Sequence, residues 1–142
     1  MIEVTKQYII DRPLEEVYQF ISNPENDVKW ISSCLEVSNI SGNTHDVVFK
    51  FFGKKMKFKM LTHAEVNQAF YYGTTSGPLS FKGSYQFEKY SHGTMVTWKF
   101  AAEPNNFFGL VPHGILRKAL DKQADGDIKI LKQMLNAASI VV

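Results

Sequence analysis

Residues 46–64 read DVVFKFFGKKMKFKMLTHA, two arms of alternating character on either side of Phe52-Gly53. In the first arm Val47, Phe49 and Phe51 share one face and Val48, Lys50 and Phe52 the other, because successive side chains of a strand point to opposite sides. In the second arm Met56, Phe58, Met60, Thr62 and Ala64 point one way, and Lys55, Lys57, Lys59, Leu61, His63 and Glu65 the other. Gly53 supplies the turn residue that a hairpin between the arms requires. Alternation of this kind belongs to an antiparallel sheet with one wet face, so the lysines read as that wet face. A single-stranded nucleic-acid platform would need exposed aromatics beside those cations, and here the aromatics alternate to the opposite side. No nucleic-acid partner is expected.

The same period continues downstream. AFYYGTTS (69–76), SFKGSYQFEKY (80–90) and GTMVTWKFAAE (93–103) read as strands, separated by Gly77-Pro78 and by Ser91-His92-Gly93. Phe81, Gly83, Tyr85 and Phe87 align on one face, as do Val96, Trp98, Phe100 and Ala102, while Lys82, Gln86, Glu88, Thr97 and Lys99 take the other. Upstream, residues 2–10 read as a strand, and Pro13 opens a short helix with Leu14, Val17, Tyr18 and Ile21 at helical spacing. Asn23-Pro24 breaks it, and a second short helical turn is expected to end near Trp30. A long helix over 112–136 presents Leu116, Leu120, Ala124, Ile128, Leu131 and Leu135 as one apolar stripe. These elements predict a single α+β domain over residues 1–142, in which a curved antiparallel sheet of about seven strands lays its aromatic face on the long helix.

The chain has 142 residues and a net charge of +2, too small to imply a polyanion as partner of the whole molecule. A single cysteine, Cys34, excludes an internal disulfide and multi-cysteine zinc patterns. The first residues, MIEVTKQYII, carry charges at Glu3 and Lys6 and lack a signal-peptide core, and no stretch approaches the length of a membrane span. A cytoplasmic protein without stable membrane insertion is expected, with monomer and homodimer both open. Eleven Phe and six Tyr must be surrounded by something.

Three passages resemble the START-like, or SRPBCC, superfamily of polyketide cyclases and dehydratases, lipid-transfer domains and plant pathogenesis-related proteins. IIDRPLEEVYQFISNPENDVKWISS (9–33) is similar to the family's opening at Pro13, Glu16, Val17, Tyr18, Pro24, Glu25 and Trp30. HGTMVTW (92–98) is similar to the start of its last strand, and the terminal helix completes the likeness. The resemblance implies a helix-grip fold, with a cavity between sheet and helix that usually takes an apolar small molecule.

On that basis the candidate ligand-binding residues are Phe49, Phe51, Phe58, Met60, Tyr72, Tyr85, Trp98 and Phe100 from the sheet and Leu116 and Leu120 from the helix. Taken singly, each reads better as plain core, and it is the set together that suggests a cavity wall. His113 joins them because it stands at the start of the long helix, where the family's cavity often opens. No catalytic residue, metal or cofactor is expected. His45 and His92 read as turn residues, His63 lies on the wet face, and no two histidines have metal-site spacing. Cys34 reads as a small core residue. Asp121 and Asp125 are expected on a solvated face balanced by Lys118, Lys122 and Lys129, and Asp127, nearest the stripe, needs a partner if it faces inward. The leading expectation is binding or transport of an apolar or aromatic small molecule, lipid-like or polyketide-like. The alternatives are a cyclase/dehydratase-type enzyme and a co-chaperone-like interaction module that uses the lysine face.

Overall fold

A computed structural model describes residues 1–103 and 111–137. Strand β1 (Ile2–Ile10) leads into helix α1 (Leu14–Ile21), a 3₁₀ turn (Pro24–Asn26) and a one-turn helix α2 (Asp27–Trp30). Strands β2 (Cys34–Ser41), β3 (Thr44–Phe51), β4 (Lys54–Glu65), β5 (Ala69–Ser76), β6 (Ser80–Tyr90) and β7 (Gly93–Glu103) follow, and helix α3 (His113–Ala137) comes last. The strands form one antiparallel sheet in the order β1-β7-β6-β5-β4-β3-β2, so that the first and last strands in sequence are neighbours. The expected meander and long helix are therefore present.

The β3–β4 hairpin closes as its sequence predicts. Phe51 faces Lys54 across a two-residue loop in which Phe52 and Gly53 have φ of 49° and 79°, the left-handed pair of a type I′ turn. Val47 then faces Phe58 and Phe49 faces Met56 on the inner side, while Val48 faces Lys57 and Asp46 faces Lys59 outside. Met56, Phe58 and Met60 are buried, and Lys55, Lys57 and Lys59 are exposed. The lysine strand is a wet sheet face.

Directly opposed residues share a face, so the pairings draw the inner surface as rows. Thr62, Tyr72, Gly83, Phe100 and Val4 form one row across five strands. Ala64, Phe70, Tyr85, Trp98 and Lys6 form the next, and Phe87, Val96 and Tyr8 lie beyond it. Helix α3 lies against this surface and reaches two apolar clusters. Leu131 and Leu135 join Tyr8, Val17, Trp30 and Phe87, while Leu116 joins Val47, Phe58 and Phe81.

Two expectations require correction. Asp121 and Asp125 are not balanced by lysines of their own helix but by Lys6, whose Nζ lies 2.6 Å and 3.0 Å from their carboxylates. Lys6 occupies an inner-face position of β1, and its long stem lets the ammonium reach the helix surface. His45 is not a turn residue: β3 begins at Thr44, so His45 continues the inward series of Val47 and Phe49 and is buried.

Candidate functional site

Between the inner sheet face and the helices lies a pocket of about 160 Å³. Strand alternation brings Phe49 and Phe51 (β3), Met60 (β4), Tyr72 (β5), Tyr85 (β6), and Trp98 and Phe100 (β7) to its wall, and the apolar stripe of α3 adds Leu116 and Leu120. Two of the residues singled out in the sequence sit elsewhere. Phe58 is fully buried behind the wall, its ring 5.9 Å from that of Phe49 and 5.1 Å from that of Phe81. His113 is exposed at the first turn of α3 and does not line the pocket.

Glycines make room for two of the rings. A Cβ on Gly83 would lie 2.2 Å from the Tyr72 ring and hydroxyl, so Tyr72 lies flat over the sheet only because Gly83 stands opposite it. That pose carries the Tyr72 hydroxyl to Trp98, whose Nε1–H donates to it at 2.9 Å. A Cβ on Gly77, where φ is +146°, would meet the Phe58 ring at 2.3 Å.

Polar groups enter the pocket from positions that the sequence did not mark. Tyr8 shares the inward parity of Ile2, Val4 and Ile10 on β1. Asp27 and Trp30 stand three residues apart on α2 and therefore on one side of it. His45 lines the wall from β3. Burial pushes the Asp27 carboxyl up to about 8, and no described residue hydrogen-bonds it. Burial also raises the Tyr8, Tyr72 and Tyr85 hydroxyls, with further upward pushes from one another and from Asp27 on Tyr72 and Tyr85. Burial lowers His45, with Asp46 opposing, so its imidazole is neutral at pH 7.

Asp127 does face inward, and it has its partner: its Oδ1 accepts the Ser32 backbone N–H at 3.1 Å. Burial raises this carboxyl, and bonds to Ser32 and Gln123 oppose the rise. Gln123 donates to Ser33 Oγ at 2.9 Å, so α3 is tied by two side chains to the segment between α2 and β2. Two buried polar atoms, Tyr8 Oη and Trp30 Nε1, have no partner among the described residues. Among those residues no three His, Cys, Asp or Glu side chains gather as a metal site, and no helix is long and apolar enough to cross a membrane.

The model of the family described as polyketide cyclase / dehydrase and lipid transport matches residues 1–136. Solved structures share the fold at low identity. TTHA0849 from Thermus thermophilus is 19% identical with a TM-score of 0.82, over 96% of this chain and 99% of that one. A START superfamily protein from Mycobacterium smegmatis is 13% identical with a TM-score of 0.82, over 96% and 98%. The di-domain ARO/CYC protein StfQ of the steffimycin biosynthetic pathway is 12% identical with a TM-score of 0.77, and the match spans 97% of this chain but 52% of that one. No curated protein sequence matches the chain.

Proposed function

The chain belongs to the polyketide cyclase/dehydrase and lipid-transport family, and from that premise we propose that it binds an apolar or aromatic small molecule in the pocket between sheet and α3. The observation that carries this reading is the wall itself: aromatic and aliphatic side chains make up most of the lining of about 160 Å³, and among the described residues no lysine or arginine lines it. An apolar cavity of about 150 Å³ is large enough for a benzene-sized guest. A ligand of one or two rings therefore suits the pocket, held by burial and oriented by a few polar groups.

Fluorescence titration with 1-naphthylamine, a neutral two-ring probe, tests the reading. About one site is expected on the parent protein. Leu116 is buried and lines the pocket, so Leu116→Trp should fill the space, abolishing probe binding while a cooperative melt is retained. A parent that binds no probe, together with a Leu116→Trp variant destabilised by the roughly 1–3 kcal/mol of an overpacked core, would make the aromatics ordinary core.

One observation favours a second reading, a cyclase/dehydratase-type enzyme. A carboxyl held at about 8 in a pocket beside tyrosines has the proton affinity that general acid–base work requires near neutral pH. Deuterium exchange into an aromatic β-diketone, followed by NMR, tests it. Asp27→Asn should abolish any protein-dependent exchange, and exchange no faster than in buffer with the parent protein counts against the enzyme.

A further inference from the structure

Two tryptophans line the pocket, and the fold treats their ring N–H groups differently. Trp98 Nε1 is satisfied by Tyr72 Oη at 2.9 Å. Trp30 Nε1 is buried and has no partner among the described residues, and the same is true of Tyr8 Oη. The two side chains are 5% and 7% exposed, both line the pocket, and they come from different elements, α2 and β1. They also lie in the same apolar cluster at one end of α3: the Trp30 ring packs edge-on against Tyr85 at 6.3 Å, and Tyr85 in turn feels the Tyr8 hydroxyl. A buried donor without an acceptor is costly, and native structures rarely leave one unsatisfied.

We propose that Tyr8 and Trp30 form an oxygen-binding subsite at this end of the pocket, which takes the hydrogen-bond-accepting oxygen of a neutral, otherwise apolar ligand. The inference rests on the reading of the pocket as a small-molecule site and adds a location and a chemical preference to it. An acceptor is specified because an indole N–H can only donate, and the Tyr8 O–H can donate to a second lone pair of the same oxygen. Neutrality follows from the surroundings. Among the described residues no lysine or arginine lines the pocket, and Lys6, the inner-face cation of β1, is engaged by Asp121 and Asp125. A carboxylate placed there would lose its hydration without gaining a counter-ion.

Calorimetric titration of the full chain with three probes of one shape tests the proposal: 2-ethylnaphthalene, 2-acetylnaphthalene and 2-naphthoate. In the parent protein the ketone should bind at least as tightly as the hydrocarbon, although water holds its carbonyl, and the carboxylate should bind more weakly than the ketone. Tyr8→Phe and Trp30→Phe remove the donors, so each should weaken the ketone by about five- to tenfold relative to the hydrocarbon, the size of one net hydrogen bond. If the hydrocarbon outbinds the ketone by the same factor in the parent and in both variants, the subsite is refuted while the pocket stands. A carboxylate that binds tightest overturns the neutral preference. If neither the hydrocarbon nor the ketone binds the parent, the pocket reading fails and the subsite fails with it. The parent comparison alone keeps the test decisive if a variant does not fold.

Discussion

Asp27→Asn should make the protein more stable at pH 7, and the gain should vanish on acidification. The carboxyl ordinarily titrates at 3.8, and burial in the pocket wall pushes it up to about 8. Between those values the unfolded chain has released the proton and the folded chain still holds it. Stability therefore falls as pH rises through this window, by about 1.4 kcal/mol per pH unit for a fully developed shift. From pH 3.8 to pH 7 the ceiling is about 4 kcal/mol. Asp27 as a residue is only half-buried, so solvent reduces this, and a measured gain of about 1–3 kcal/mol is expected. Asparagine does not titrate and so escapes the cost. His45 and Asp127 also have shifted values, but they are common to parent and variant and cancel in the difference. Urea unfolding of both proteins from pH 4 to pH 9, read by tryptophan fluorescence, supplies the curves. The difference should be near zero at pH 4, grow steadily, and level off above pH 8. A flat difference, or a variant that becomes progressively less stable than the parent as pH rises, would show that the carboxyl ionises freely in the folded state.

Three further outcomes follow from the packing. Gly83→Ala should displace the Tyr72 ring, break its bond to Trp98 and cost roughly 1–3 kcal/mol, as overpacked sites do; an unchanged melt with unchanged tryptophan fluorescence would place Tyr72 elsewhere. Changing Lys55, Lys57 and Lys59 together to Gln should alter stability by no more than about 1 kcal/mol, since all three are exposed, and loss of the folded state would mean that the face is covered. Burial pushes the Cys34 thiol up to about 12, with Asp27 adding to the rise, so Ellman's reagent should label the native protein far more slowly than the urea-unfolded chain. Equal rates in the two states would place the thiol at the surface.

Period-two alternation determined which face of each strand is dry, and this carried the sequence to the sheet and its meander, while spacings of three and four marked the apolar stripe of α3. The aromatic wall was legible for the same reason: Phe49, Met60, Tyr85 and Phe100 each sit at an inward parity within a clear strand. Parity stops short of depth. It places Phe58 and Phe49 on one face but does not say that Phe58 lies behind the pocket wall, which depends on how Phe81 and Gly77 close around its ring. Strand boundaries blur at their ends, where one residue decides a side, and so His45 read as a turn. Helix α2 has only four residues, too few for any periodicity, so nothing in its sequence turns Asp27 and Trp30 toward Tyr8 on a distant strand. The apolar elements announce themselves by repetition because burial acts on every turn and every second residue. The polar groups Tyr8, Asp27, Trp30 and His45 are contributed once each, by β1, α2 and β3, and only the tertiary structure brings them to one pocket.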